Sequence, residues 1–532
     1  MLKVKKLVAL TVALGCLMGC ASCGANGEII DPTVEDTENL YIYGINRGYG
    51  MDWLHAIAAD FEAETGINVE VKDTSSAETI NSTMDQGPKS TNNTDIYFVV
   101  SHARTARNNY QGKWTQQGYA EGLMDLTELY GMNVYGENVK FGDKMIDSFR
   151  SVSNMGTEQN PKYYSIPWST GVMGMTYNID VFKMLYGDTY EEKLPNTSTE
   201  LLNLAQDIKG KGGTPFIFPG QLDYFSMSMF NVWWAQYSGY ERYTKFYEGL
   251  AYDAEFDSYS QSPDIFKDEG RLKAIEAIYD LVNYESNLYW RDGWSYDSVN
   301  FTDLQVRYLT TSNKVAMMPN GDWLENESSA EGASTFGMMK TPVLSSIIDR
   351  LSTINDDATL SAVVDYVDGT TDTAPSGVSE DDIKEVRIAR NMYASNGLSH
   401  TCYVPAYSNA KTNAFKFLTY LASDKALDKF ADVVGGGYLP FKHTYNSTNS
   451  SPFEKDIASL LNTMVYCGEL NISPLFYKAG LNGVYYADDT KLETKLSAKS
   501  SSSVYRTPEN AWKDYWYTAS EWSALLSASG EQ

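Results

Sequence analysis

Leu40-Tyr41-Ile42-Tyr43-Gly44-Ile45, then Leu54, Ile57, Ala58 and Phe61 at helical spacing up to Gly66, then Asn68-Val69-Glu70-Val71, and finally Asp95-Ile96-Tyr97-Phe98-Val99-Val100: this stretch decides the fold. The first segment reads as a buried strand, followed by the glycine-punctuated turn Asn46-Arg47-Gly48-Tyr49-Gly50. Asp52 is placed to cap the helix, and Gly66 to end it. Residues 68–71 alternate as a strand does. After another helical stretch, the apolar run at 95–100 is typical of a strand covered on both faces. Strand–helix–strand–helix–strand is the pattern of an α/β layer with a largely parallel sheet.

Further on, Tyr164-Ser165-Ile166-Pro167-Trp168 runs into Gly171-Val172-Met173-Gly174-Met175-Thr176-Tyr177-Asn178, which opens a second layer. Thr197 and Glu200 form a capping-box pattern before Leu201, Leu202, Ala205 and Ile208, so a helix is expected there. Aromatic residues are dense from Leu222 to Tyr247. Lys314-Val315-Ala316-Met317-Met318 reads as a strand leading into Asn320-Gly321-Asp322-Trp323. Residues 343–400 are rich in Asp, Ser and Thr, with one helix expected from Ser379/Asp382 to Met392. Tyr403-Val404-Pro405 reads as a returning strand, Phe415, Leu418 and Leu421 mark a helix, and Gly435-Gly436-Gly437 breaks the chain. No internal repeat is visible.

At 532 residues the chain exceeds what one hydrophobic core supports. Its net charge of −27 repels phosphate backbones and anionic lipids, which argues against nucleic acid as a partner. Lys3, Lys5 and Lys6 precede the apolar run Leu7–Met18, which is too short to span a bilayer and is followed by Gly19-Cys20. This is the pattern of a secretory signal over residues 1–19. Leu17-Met18-Gly19-Cys20 resembles the bacterial lipobox, so lipidation is expected at Cys20, with Cys23 as the alternative site. Ordinary secretion with cleavage near Ala21 or Ala25 is the other reading. Residues 24–38 are polar and acidic, the composition of a flexible tether, so 20–38 is expected to be a lipidated linker. After Cys20 only Cys23, Cys402 and Cys467 remain, too few for a disulfide framework, and two buried free thiols are favoured over a Cys402–Cys467 bridge.

The chain resembles the bacterial extracellular solute-binding proteins of sugar transporters, the group that includes maltose-binding protein. Phe61-Glu62-Ala63-Glu64-Thr65-Gly66-Ile67, Thr94-Asp95-Ile96-Tyr97-Phe98, Gly118-Tyr119-Ala120-Glu121-Gly122-Leu123 with Leu126-Thr127, Ile166-Pro167-Trp168 through Tyr177-Asn178, Ala316-Met317 with Gly321-Asp322-Trp323, and Gly437-Tyr438-Leu439-Pro440 carry the likeness in order. It covers most of residues 39–532, although the 343–400 segment is longer than in compact members. The resemblance implies a two-lobed periplasmic-binding-protein-like α/β fold, each lobe a mostly parallel sheet flanked by helices. Lobe one would hold 39–166 and 404–436, and lobe two 172–400 and 438–532. It further implies capture of a carbohydrate, an oligosaccharide in the favoured case, between closing lobes. Delivery would be to the membrane permease of an ABC importer, by a monomer anchored to the outer face of the cytoplasmic membrane, with no cofactor, metal or catalytic residue.

A sugar presents hydroxyls around its ring and apolar C–H patches on its faces, so its site needs a flat aromatic and charged or amide groups. Trp323 is the first candidate, placed where the family has a stacking tryptophan, beside Asp322. Trp168 stands at the first crossover, where a structural hinge role is the competing reading. Arg47 and Tyr49 lie on the turn after the first strand, at a carboxyl end where ligands meet α/β sheets. Asp223, Tyr224, Trp233 and Tyr438 complete the set; Trp233 and Trp234 are adjacent and cannot both face one site. A secreted glycoside hydrolase is the alternative, needing two carboxylates across the sugar bond. A glycan-binding surface protein uncoupled from transport is another. G-x-S-x-G, HExxH and the phosphate-loop pattern are absent, and His55, His102, His400 and His443 are too dispersed for a histidine metal site. Replacing Cys20 by Ser is expected to release the protein from the membrane fraction; retention in a detergent phase would move the anchor to Cys23.

Overall fold

The computed structural model describes residues 34–86, 92–115, 121–220, 222–291, 301–328, 334–445, 450–470, 472–481, 483 and 491–531; the leader and Cys20 lie outside them. Among the described residues thirteen strands are formed: β1 Asn39–Ile45, β2 Asn68–Thr74, β3 Ile96–Val100, β4 Ile166–Pro167, β5 Val172–Asn178, β6 Thr214–Phe216, β7 Leu250–Asp253, β8 Ser258–Gln261, β9 Val315–Gly321, β10 Phe336–Met338, β11 Met392–Ser395, β12 His400–Tyr403 and β13 Val465–Cys467. They make two large sheets, ordered β2-β1-β3-β12-β4 and β13-β11-β5-β9-β6 with β10 on β5, while β7 and β8 form a separate hairpin.

Both sheets are mixed rather than nearly parallel. In the first, β1 runs parallel to β2 and β3, and β12 runs against β3 and β4. In the second, β11 and β13 are parallel, as are β6 and β9, while β5 runs against β9, β10 and β11. The reversed strands are the two entered directly from the other sheet. The chain leaves β4 for β5 and leaves β11 for β12, so each arrives at the end where its neighbours finish.

Helix Asp52–Thr65 buries Trp53, Leu54, Ile57, Ala58 and Phe61, the expected face, and ends at Gly66 in the left-handed conformation. Met51, not Asp52, takes the cap position, and no side chain caps it. Its outer partner is helix Asp424–Val434, through a Trp53–Phe430 ring contact at 4.8 Å. The second sheet is fully buried along β5 and β9 and is covered by helix Asn231–Ser238, on which helix Glu269–Val282 packs in turn.

Several local expectations are corrected. Thr197 accepts from the Glu200 amide, but the Glu200 carboxylate accepts from Asn196 rather than returning to the Thr197 amide. The helix after Ser379 ends at Arg390, and Met392 begins β11, a strand that the polar composition around it concealed. The returning strand is His400–Tyr403, earlier than Tyr403–Pro405. The 343–390 segment builds its own small core from residues including Val343, Ile354, Leu360, Val363, Val364 and Val386. Asp368 closes it by pairing with Arg390 and Lys340.

Val34–Glu38 are not a free tether. The Glu35 carboxylate accepts from the Thr412 amide at the start of helix Lys411–Leu421, and the Asp36 amide donates to Asn409. Those bonds hold the Glu35 carboxyl below its usual range. Cys402 in the first sheet and Cys467 in the second are buried free thiols. Trp53 is fully buried among Phe98, Trp168 and Phe430. Trp53→Ala is expected to cost about 3–5 kcal/mol in urea unfolding, while a loss under about 1 kcal/mol would show that the first lobe's core does not depend on it.

Candidate ligand site between the two sheets

The two crossover segments lie side by side. Trp168 donates its amide to His400, Asn396 donates to Gly171, and the Ser395 hydroxyl donates to the Thr170 carbonyl at 2.6 Å. Gly171 has φ +53°, and a Cβ there would lie 2.2 Å from Asn396 Oδ1 and 2.6 Å from the Gly397 amide nitrogen. Only glycine permits both the left-handed turn and this approach.

Asp322, at the end of β9, locks the pair. It is fully buried. Its Oδ1 accepts from Tyr49 Oη at 2.5 Å, and its Oδ2 accepts from Thr170 Oγ1 and the Val172 amide, each at 2.9 Å. Tyr49 belongs to the turn after β1, so one carboxylate joins the first sheet, a crossover and the second sheet. Burial pushes the Asp322 carboxyl up to about 7, against the pull of those donors.

Aromatic rings continue the junction. Trp168 is fully buried, donates from Nε1 to Val99 O at 3.0 Å and stacks on Trp53. Tyr49 meets Trp168, Trp323 and His400 edge-on. Trp323 also meets Tyr224, which stacks on Phe301 at 4.4 Å. Trp323 is 6% exposed, and its ring covers Gly321 so closely that a Cβ there would lie 2.3 Å from it.

The sequence candidates therefore separate. Tyr49, Trp168, Asp322, Trp323 and Tyr224 come together, with their polar atoms engaged by protein in the case of Tyr49, Trp168 and Asp322. The Tyr438 carbonyl accepts from the Thr170 amide, but its hydroxyl donates to Glu454 O, away from the junction's carboxylate. Arg47 is exposed and donates to Ser75 O beside β2. Trp233 is fully buried in helix Asn231–Ser238, donating to Pro342 O; Trp234 is buried too, donating to Asp268. Both adjacent tryptophans are core, because that helix is buried all round.

Asp223 alone among the candidates lines the cavity at the seam, about 120 Å³, together with His102, Met173, Met227, Asn231, Ser395, Asn396, Ser399, Tyr466 and Glu469. Apart from Met173 at the start of β5, these residues lie at or just after the carboxyl ends of β3, β11 and β13, or come from the turn and helix at 223–231. The carboxyl-end rule points to His102 from β3, and reaches Asn396 and Glu469 only through β11 and β13, which do not read as strands in the sequence. Asn231 is 3% exposed, and its Oδ1, with Asn396 Oδ1 and Glu469 Oε1, makes no hydrogen bond. Burial, and then the nearby Asp223, pushes the Glu469 carboxyl up to about 7. Burial holds both His102 and His400 neutral, near 4.

A larger groove of about 980 Å³ lies elsewhere, between helices Ile179–Tyr186 and Ser198–Gly210 and the 343–390 insertion. Its polar groups largely satisfy one another. Asp368 pairs with Lys340 and Arg390, Asn196 donates to Asp365, and Tyr186 donates to Asp207. Size favours the groove; unmet hydrogen-bonding capacity favours the seam, and buried unpaired polar atoms are the costlier feature to leave without purpose.

The family model of bacterial extracellular solute-binding proteins matches residues 47–428. The chain belongs to this family. Over 169 residues it is 28% identical to the Multiple sugar-binding protein of Streptococcus mutans, an alignment spanning 31% of this chain and 34% of that protein, so the match covers about a third of the relative's length. Its fold is similar to that of a bacterial solute receptor with an exclusive preference for β-D-galactopyranose (TM-score 0.55, 13% identity, 92% of this chain and 100% of the other). It is also similar to the GacH receptor of Streptomyces glaucescens, studied unliganded and with acarbose (TM-score 0.50, 16% identity, 92% and 99%). The likeness is to two-lobed α/β folds, and the two sheets described above account for two such lobes.

The raised carboxyl of Asp322 fixes a sign. Its proton is bound more tightly in the folded state than at the ordinary value of 3.8, so its contribution to stability is complete below about pH 4 and is lost as pH rises through 7. Glu469 acts in the same direction. Urea midpoints are expected to fall from pH 5 to pH 8, and Asp322→Asn is expected to flatten the fall; an equally steep fall in the variant would exclude Asp322 as its source.

Proposed function

We propose that this protein captures a carbohydrate, an oligosaccharide in the favoured case, between its lobes and delivers it to the permease of an ABC importer, held at the outer membrane face by a lipid on Cys20. The chain crossings fall at 167–172, at 395–400 and between His443 and Pro452, and divide lobe one (near 39–166 and 404–443) from lobe two (near 172–400 and 452–532). The last is later than the expected 436–438, because Phe441 pairs with Met145 and His443 with Asp424 and Asp428, while helix Pro452–Leu461 packs on β10. The observation that supports the reading is that Asn231, Asn396 and Glu469, each with a buried oxygen that makes no hydrogen bond, line the seam cavity together with Asp223. Amides and carboxylates of this kind bind sugar hydroxyls. The sugar-binding curated relative and the sugar receptors of like fold point the same way.

At about 120 Å³ the cavity is well under the roughly 300 Å³ of a usual ligand pocket. The lobes must therefore part to admit an oligosaccharide. Parting them separates Trp323 from Tyr49 and bares the indole face, which makes Trp323 the proposed stacking residue and Asp322 the latch. Ligand contacts to both lobes then favour closure by their differential affinity.

One observation favours the hydrolase reading: Asp223 and Glu469 share the cavity, and a raised carboxyl beside a second acid is the arrangement of an acid–base pair. A thermal-shift screen of the mature chain against mono- and oligosaccharides separates the readings. Capture predicts a raised melting temperature with the sugar recovered intact, while cleaved sugar would establish the hydrolase. With the sugar so found, Asn231→Ala is expected to weaken calorimetric affinity about tenfold or more, and Trp323→Ala likewise, the latter with a lowered melting temperature from the loss of its buried ring contacts. Unchanged affinity would remove the residue from the site.

A further inference from the structure

The seam holds more than one cavity. The 120 Å³ space shares His102 with a small one of about 30 Å³, which in turn shares Arg104 and Met155 with a third of about 270 Å³. The three follow the first turns of helix Ala103–Thr115 along one line between the lobes. On the far side stand Ile472 and Tyr477-Lys478, around the short helix Pro474–Tyr477 that packs on that helix.

The third cavity is charged unlike the rest of the molecule. A chain with 42 basic and 69 acidic residues brings Arg104, Arg107 and Lys478 to one space with a single carboxylate, Glu121. Glu121 is taken by Arg107, at 2.9 Å from Nη2, and the Arg107 guanidinium lies 3.9 Å above the Tyr164 ring. Arg104 donates from Nη2 to Asn154 O at 2.8 Å and pairs with no carboxylate among the described residues. Burial, with Arg107 close by, lowers the Arg104 guanidinium to about 10. A structural role would place one of the many acids beside it; instead a planar donor fork is held, partly desolvated and without an anion, at the end of the ligand track. Such a fork matches a carboxylate in two parallel hydrogen bonds.

We infer that the cavity formed by Arg104, Arg107 and Lys478 is an anion subsite, which takes the carboxylate of an acidic sugar unit in a glycan lying along the seam. This deepens the proposed capture of a carbohydrate and rests on it. The sugar ring next to the acid would sit over Met155 and Tyr477, and the neutral remainder would reach Asn231 and Glu469 through the gap at His102.

The test is calorimetric titration of the wild type, Arg104→Gln and Lys478→Gln with glucuronate- and galacturonate-bearing di- and trisaccharides, their neutral counterparts and sodium sulfate. The uronate sugars are expected to bind more tightly than their neutral counterparts. Arg104→Gln is expected to remove that preference, weakening uronate binding about tenfold or more while sparing the neutral sugar. Lys478 is exposed, so Lys478→Gln keeps the fold if Arg104→Gln does not, and is expected to reduce the preference in part. Neutral sugars binding with no advantage to uronates would overturn the subsite and leave the carbohydrate reading standing. Sulfate binding lost in Arg104→Gln, without a uronate preference, would make it a free-anion site and overturn the assignment to a sugar carboxylate. Silence from every sugar would overturn both.

Discussion

One buried carboxylate is bonded to both halves of the molecule. Asp322 receives Tyr49 from the first sheet, Thr170 and Val172 from the crossover, and carries the chain into Trp323 on the second. Among the described residues no cation pairs with it; hydrogen-bond donors hold the group, and burial raises its carboxyl toward neutrality. A lock of that kind is strong while all donors are in place and weak once one leaves. It suits a junction that must open and shut far better than a salt bridge buried in a rigid core.

The paired crossovers give that junction its axis. Segments 167–172 and 395–400 are bonded to each other and pass between sheets whose remaining strands end at the same seam. Residues that follow strand ends are thereby brought to the cleft without further arrangement: His102, Asn396, Gly468 and Glu469. Closure in the absence of ligand leaves a space too small for an oligosaccharide and several polar atoms without partners. Those atoms are the free energy that a ligand recovers on binding, which links the geometry of the hinge to capture.

The α/β class and the first lobe were legible because residues 40–100 carry both periodicities cleanly, and helix Asp52–Thr65 buries the very residues its spacing singled out. The hub Tyr49–Trp168–Asp322–Trp323 was also legible as a set, through motifs at the crossovers. The role of each residue in it was not. Whether Trp168 faces a ligand or stacks on Trp53 depends on a partner more than a hundred positions away, and Trp233 was indistinguishable from a cleft residue until its helix proved buried on every side. The cavity itself was hidden for a different reason. Its lining depends on β11 and β13, short strands of four and three residues embedded in polar sequence, whose existence is decided by pairing with each other and with β5 rather than by local pattern. In the insertion at 343–390 only the helix after Ser379 was legible, because the few apolar residues of the rest suffice only when gathered into one small core.

The most direct measurement is hydrogen–deuterium exchange of the mature chain with and without a sugar that raises its melting temperature. Capture at the seam predicts added protection at His102–Ala106, at Ser395–Ser399 and at Tyr466–Leu470 together, since the ligand must touch both lobes and the hinge. Protection confined to the groove around Glu191–Asp207 and the 343–390 insertion, with the seam unchanged, would contradict it and move the binding site to the outer face of the second lobe.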